Sequence, residues 1–214
     1  KPKGGWRVCG DYRNINSKTL TYPWPQPRID LLAQNLTLAQ FFALFDFIKG
    51  YWQVALEEYA RQYFTIATPD GLYEPNRVQM GAKNSGSHFQ CVVTKAFADL
   101  LYTNLLVYLD DLLAHAKTEQ ELADVIREMF VIMLELGFKL HPDKCELFAK
   151  EIDWCGHVVS AKGVSVSPGR VKALVDMPAP RTAAELQQFV AAANWMQNKL
   201  PKFAVVAAPL TTLL

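Results

Sequence analysis

Leu105-Leu106-Val107-Tyr108-Leu109-Asp110-Asp111-Leu112-Leu113-Ala114 is the stretch from which the rest of the chain can be read. Two adjacent acids interrupt a run that is apolar on both sides. The pattern predicts two short strands, Leu105 to Leu109 and Leu112 to Ala116, meeting at an Asp110-Asp111 tip. A hairpin turn tolerates Asp, so one reading is a pair of solvated turn residues. Two-residue turns, however, mostly carry Gly or Asn to supply positive φ. Neighbouring carboxylates also repel by roughly 1 kcal/mol or more at contact distance, depending on the local dielectric. A cation is expected between or beside them.

Asp46 poses the same problem. It ends the apolar run Phe41-Phe42-Ala43-Leu44-Phe45, with Phe47 and Ile48 beyond, which places its carboxylate near a core. An isolated buried carboxylate costs several kcal/mol and ordinarily neutralises itself or finds a partner. If the strand bearing Asp46 pairs beside the hairpin bearing Asp110 and Asp111, three carboxylates converge on one sheet face. Magnesium takes oxygen ligands of this kind and leaves positions for substrate phosphates. Two such ions about 4 Å apart activate an attacking hydroxyl and stabilise a leaving pyrophosphate. A solvated turn and a two-metal phosphoryl-transfer site both remain open on spacing alone.

The whole chain has 214 residues, half of them hydrophobic and 20% charged, which excludes a disordered or collagen-like polymer. No apolar run approaches the roughly 18 residues that a membrane-spanning helix needs, so no membrane partner is expected. Four cysteines (Cys9, Cys91, Cys145, Cys155) show no pairing rhythm and are expected to be reduced thiols. Cys145, Cys155 and His157 lack the Cys-x-x-Cys spacing of a zinc site. The net charge is only +1, which excludes a blanket electrostatic case for nucleic acid. Residues 1–28 are different, with Lys1, Lys3, Arg7, Arg13, Lys18 and Arg28 against Asp11 alone. That edge suits phosphate, although on this feature alone a solvated basic edge is the stronger reading.

Coarse periodicity predicts a strand over 6–13, an extended connector over 21–27 and a helix from 28 to about 36. A strand over 41–46 follows, then a hairpin within 61–80 turning at Asp70-Gly71. A helix spans 85–101 with Phe89, Val93 and Phe97 as a core stripe and Ser85 as its cap. Another runs from Thr118 to Leu136, where Thr118 and Glu121 form a capping-box signature and Gly137 a stop. A hairpin is expected from Trp154 to Ser160 and Val164 to Val166, then helices over 168–176, 182–198 and 202–213. Strands and helices interleave without a regular βαβ beat, which favours α+β.

These motifs resemble the reverse transcriptase family, and within it Gypsy-type long-terminal-repeat retrotransposons. Tyr108-Leu109-Asp110-Asp111 resembles the family's Tyr-x-Asp-Asp signature. Matching segments run in order along nearly the whole chain. They are Trp6 through Asn16, Tyr22-Pro23 through Asp30, and Phe45-Asp46 through Gln53. Phe89-Gln90, Leu136 through Leu140, Lys144-Cys145, Gly156 through Gly163 and Ala207 through Leu210 complete the series. A lone Tyr-x-Asp-Asp is weak, whereas the ordered series is specific.

The resemblance implies a right-hand polymerase fold of partial fingers, palm and thumb, with an antiparallel palm sheet backed by helices. It implies fingers and connector over 1–40, the first catalytic motif over 41–60 and a fingers hairpin over 61–84. Palm with catalytic and primer-grip hairpins would occupy 85–166, and thumb 167–214. The implied activity is RNA-directed DNA polymerisation on a primed RNA or DNA template from deoxynucleoside triphosphates. Asp46, Asp110 and Asp111 would be the catalytic and metal-binding acids, holding two Mg²⁺ ions, with Mn²⁺ as substitute. Asp46 and Asp110 would be the direct ligands. Lys3 (or Lys1), Arg7, Tyr51 and Gly81 would hold the nucleotide. The Tyr51 ring would reject a 2′-hydroxyl, or else be a palm core tyrosine. Arg13, Gln90, Tyr108, Trp154 and Gly156 would face template or primer, with simple packing as the alternative for Gln90 and Trp154. His88 and His115 are expected to be structural.

The chain departs from the family at Val78 through Gly86, where Gly86 replaces a proline, and at Ile48-Lys49. By resemblance it starts inside the fingers and stops before a ribonuclease H portion, so it is expected to be a piece of a polyprotein also carrying ribonuclease H and integrase. The expected location is the cytoplasm, with a virus-like particle or the nucleus as alternatives. An inactive retroelement remnant serving as a nucleic-acid-binding or structural module is the alternative function.

Overall fold

The computed structural model describes residues 10–32, 36 and 38–214. Most of the strand expected over 6–13 lies outside these residues. Within them Arg13 opens a helix instead, α1 (Arg13–Lys18). The helix expected from 28 is described as α2 (Ile29–Leu32). The chain divides into two compact units, one ending at Lys150 and the other running Glu151–Leu214.

In the first unit, β1 (Phe41–Asp46) is followed by α3 (Glu58–Arg61), β2 (Ile66–Thr68) and β3 (Gly71–Tyr73). Then come α4 (Ser85–Ala96), β4 (Leu105–Tyr108), β5 (Asp111–Ala116), α5 (Glu119–Leu136) and β6 (Glu146–Ala149). Strands β4, β5, β1 and β6 form one antiparallel sheet in that order. Alternation sorts its side chains. Ala43, Phe45, Leu105, Val107, Leu112, Ala114 and Ala116 face one way and pack against Phe89 and Val93 of α4 and Phe97 at its C-terminal cap. Leu122, Val125, Ile126, Met129 and Met133 of α5 join the same core at helical spacing. Each such Phe, Leu or Met contributes about 1.5–3 kcal/mol by leaving water. The opposite face carries Phe42, Leu44, Leu106, Leu113 and His115, and ends in Asp46, Tyr108 and Asp111.

Helix α5 is capped as its sequence predicts. The Thr118 hydroxyl accepts from the Glu121 amide, Glu121 reaches back to the Thr118 amide, and Gly137 leaves the helix at φ 73°. Helix α4 begins at Ser85 with Asn84 before it, and the Ser85 hydroxyl donates to the Gln79 carbonyl rather than capping the helix.

Both hairpin turns in this unit sit one residue earlier than the sequence suggests. Tyr108 pairs with Asp111, so the turn is Leu109-Asp110 and Asp111 already belongs to β5. Thr68 pairs with Gly71, so Pro69-Asp70 turn there. Proline suits the first central position of a turn and Gly the position after it. Strand β6 went unread because its side chains are mostly exposed and show no apolar alternation.

In the second unit, β7 (Glu151–Trp154), β8 (His157–Ser160) and β9 (Gly163–Val166) form an antiparallel meander. The strand expected from Trp154 to Ser160 is therefore broken: Trp154 pairs with His157 across a Cys155-Gly156 turn. Both turn residues have positive φ, 52° and 79°, the signature of a type I′ turn. Helices α6 (Pro168–Val175), α7 (Ala183–Asn194) and α8 (Phe203–Thr211) follow, with Thr182 capping α7. Among the described residues no helix is long and apolar enough to cross a membrane.

Candidate active site

The three acids meet at one end of the first unit's sheet. Asp46 ends β1 and lies directly opposite Asp111 in the antiparallel register, so both side chains leave the same face. Asp110 sits beside them in the turn, and its carbonyl accepts the Phe47 amide at 3.2 Å. Among the described residues, however, no three His, Cys, Asp or Glu side chains are drawn into a ready metal cage. Asp46 faces a lysine: Lys144 Nζ donates to both of its carboxylate oxygens at 2.8 Å.

Asp110 is a strongly perturbed acid. One carboxylate oxygen, Oδ1, is buried with no hydrogen-bond partner. Burial first, then the charges of Asp46 and Asp111, push its pKa up to about 6, against the pull of Lys144. A buried, unpaired oxygen at the end of an acidic cluster is a high-energy arrangement that a hard cation relieves. The donor set, carboxylate oxygens alone, suits Mg²⁺ or Mn²⁺ and not a soft metal. These residues fit divalent ions.

Close packing fixes Asp110. A Cβ on Gly50 would overlap its Oδ1, stand 2.9 Å from its Cγ and 3.1 Å from Phe89 Cζ. Gly50 therefore gives the carboxylate its room. Below the turn, the fully buried Gln90 accepts the Leu109 amide at 2.7 Å through Oε1, while Nε2 donates to Thr94 at 3.2 Å. Leu109 needs this support, since φ 51° is left-handed and costs a side-chain-bearing residue about 1–2 kcal/mol. Gln90, expected on the template side, is 1% exposed with its amide engaged by the protein. In that position it supports the hairpin.

Tyr51 is half-buried above Phe89, ring centroids 5.4 Å apart, and burial and the Asp110 charge raise its pKa. Its hydroxyl borders the space over Gly86, 3.8 Å from where a Cβ would stand. Tyr108 lies on the acid-bearing face, opposite Asp111. Gly81 adopts φ 94° and its carbonyl accepts Asn16 Nδ2 at 2.9 Å, which ties the segment after β3 to α1. Lys3 and Arg7 lie outside the described residues. Arg13 grips Asp11 through Nε and Nη2 on the surface.

In the second unit, Trp154 is 1% exposed and packs inside that unit. Gly156 fills its turn where a Cβ would meet Arg170 Nε at 2.9 Å. His115 is buried and its pKa is pushed down to about 4 by desolvation, so it is neutral and structural. His88 shows no role at the acids.

Three supporting residues escaped the sequence reading: Gly50, Lys144 and Gln53. Gln53 Nε2 donates to the Ile48 and Lys139 carbonyls at 2.6 and 2.8 Å, and its Oε1 accepts the Lys139 amide at 2.7 Å. All three lie inside or beside motifs that were recognised, which was the available signal, but their partners are up to 98 positions away.

The antiparallel sheet backed by α4 and α5, with acids paired at its end, defines a palm-type α+β fold. The chain belongs to the reverse transcriptase (RNA-dependent DNA polymerase) family, whose model matches residues 1–159. It is 31% identical over 98% of its length to the retrovirus-related Pol polyprotein from transposon 297 of Drosophila melanogaster. It is 27% identical over 97% to that from transposon gypsy of the same organism. The resemblance to Gypsy-type elements is thus borne out. The chain spans about a fifth of each of these polyproteins. Among solved structures, the foamy viral protease-reverse transcriptase in complex with double-stranded DNA matches all of this chain and 37% of its own, with TM-score 0.91 at 23% identity. The α+β reverse transcriptase fold expected from the sequence is borne out.

Proposed function

We propose that this chain is the polymerising portion of a retrotransposon reverse transcriptase, extending a primer 3′-hydroxyl on an RNA or DNA template with deoxynucleotides. The direct pairing of Asp46 with Asp111, with the unpartnered oxygen of Asp110 beside them, carries this reading. Asp46 and Asp110 would hold two Mg²⁺ ions, or Mn²⁺, with Asp111 supporting them. Such ions, when bound, lower the pKa of a hydroxyl nucleophile and neutralise charge on a leaving pyrophosphate. The chain's own residues do the rest. Gln90 and Gly50 fix where the Asp110 carboxylate stands, and the rigid β1–β5 pairing fixes Asp46 against Asp111. Tyr51, beside the Gly86 turn of α4, walls the space where an incoming sugar would lie and excludes a 2′-hydroxyl by size. Foamy viral relatives form complexes with double-stranded DNA and an RNA/DNA hybrid, which supports a primed template as this chain's partner.

Primer extension on an RNA template with Mg²⁺ tests the reading. Asp110→Asn should cut incorporation by about a hundred- to a thousandfold, the usual cost of losing one electrostatic stabiliser of the transition state. Equal incorporation by wild type and variant removes the acids from the mechanism. Salt-sensitive template binding without incorporation under any metal would make the chain a binding module instead. Tyr51→Val should admit ribonucleotides that the wild type rejects.

A further inference from the structure

We infer that Lys144 is a displaceable internal counter-ion: its ammonium occupies the Asp46 carboxylate, and a divalent ion binds by exchanging with it. This rests on the proposed role of Asp46 as a metal ligand and adds a competitor built into the chain.

The geometry supports a designed pairing. Lys144 Nζ sits 2.8 Å from each Asp46 oxygen, straddling the two atoms that a cation would use. The backbone beneath it is fastened to the end of β1. The His141 amide donates to the Asp46 carbonyl at 2.8 Å, and the Lys144 amide to the His141 carbonyl at 3.1 Å. The Ile48 amide donates to the Lys139 carbonyl at 3.0 Å, Phe47 bridges to Leu140, and Gln53 clamps both sides. Pro142 stiffens the single turn that presents the lysine. The anchor of this side chain is therefore set by the same backbone that sets Asp46.

The chemistry supports exchange. Three acids at one sheet end repel, and an ammonium among them offsets that repulsion. The Lys144 side chain is 56% exposed against 23% for Asp46, so it swings into water readily while the carboxylate stays. Ion pairs this open are individually weak. Lysine is a compact point charge on a flexible stem, whereas an arginine would grip both oxygens with a rigid fork and leave less easily.

Mn²⁺ titration of the full 214-residue chain, followed by electron paramagnetic resonance of free Mn²⁺ with no nucleotide or template, tests the exchange. Lys144→Met should bind Mn²⁺ roughly fivefold tighter, the factor expected from losing one open ion pair. Lys144→Gln, which keeps a donor and loses the charge, should tighten it similarly. Lys144→Arg should bind no more tightly than wild type. Unchanged or weaker binding in folded Lys144→Met or Lys144→Gln, with binding lost in Asp46→Asn, overturns the exchange and leaves the metal reading standing. Wild-type binding by Asp46→Asn overturns both.

Discussion

The side-chain carbonyl of Gln90, on α4, accepts the backbone amide of Leu109 at 2.7 Å, so a buried helix residue holds the tip of the hairpin that carries two acids. Leu109 is left-handed at φ 51°, and the bond satisfies its amide in that strained turn. Gln90→Leu leaves this amide without its partner and should lower stability by about 1–3 kcal/mol. Gln90→Glu keeps an acceptor but buries a carboxylate against the Val107 carbonyl, and should lose at least as much. Urea denaturation ranks the two, and an unchanged midpoint in Gln90→Leu would show that the turn does not need the bond.

Two glycines near the acids should respond oppositely to alanine. At Gly50 the added methyl collides with Asp110 and Phe89, so Gly50→Ala should destabilise by about 1–3 kcal/mol and displace the carboxylate. At Gly86, inside α4, the nearest atoms stand at ordinary contact distance, 3.8 and 4.0 Å. Gly86→Ala should therefore stabilise by about 0.5–1 kcal/mol through helix propensity and a less flexible unfolded chain. Thermal melts of both variants decide it; a shift of the same sign in each would contradict the packing around Asp110.

Helix α5 should depend measurably on the residue that caps it. Thr118→Ala removes the hydroxyl that accepts the Glu121 amide and should cost about 1 kcal/mol, while Thr118→Ser should be nearly neutral. Denaturant midpoints of the two variants, read against wild type, measure the cap.

Two desolvated groups should oppose each other as pH falls. His115 titrates near 4 in the fold instead of its ordinary 6.5, so the unfolded chain takes the proton first. Its contribution is full above pH 6.5 and is lost as pH drops towards 4, by up to about 3 kcal/mol. Asp110 is shifted the other way, to about 6 from 3.8, so the fold takes its proton first and gains stability over the same range. His115→Leu should therefore lose less stability than wild type between pH 6.5 and 4.5, and Asp110→Asn should lose more. Stability measured in metal-free buffers across that range tests the signs; identical profiles for all three proteins would refute them.

Much of the site was legible because the chemistry is local. Two acids inside an apolar hairpin, and a third at the end of an aromatic run, were anomalous enough to mark themselves. The Phe89, Val93, Phe97 stripe and the Thr118–Glu121 cap were equally plain, each depending on neighbours within a few positions. What was misread was register. Turns at Leu109-Asp110 and Pro69-Asp70 sit one residue before the expected tips, because pairing across the strands, not turn propensity, decides which residues bend.

The sequence by itself determined α4, α5, the strand β1 and the acid-tipped hairpin, because periodicity and misplaced charge are written residue by residue. Only the tertiary structure decided that Gln90 supports the hairpin, that Gly50 makes room for Asp110, and that Lys144 rests on Asp46. Those contacts join residues 19, 60 and 98 positions apart. Such separations are closed by the packing of α4 and α5 on the sheet and by the clamp at Gln53, and no local pattern encodes the distance that results.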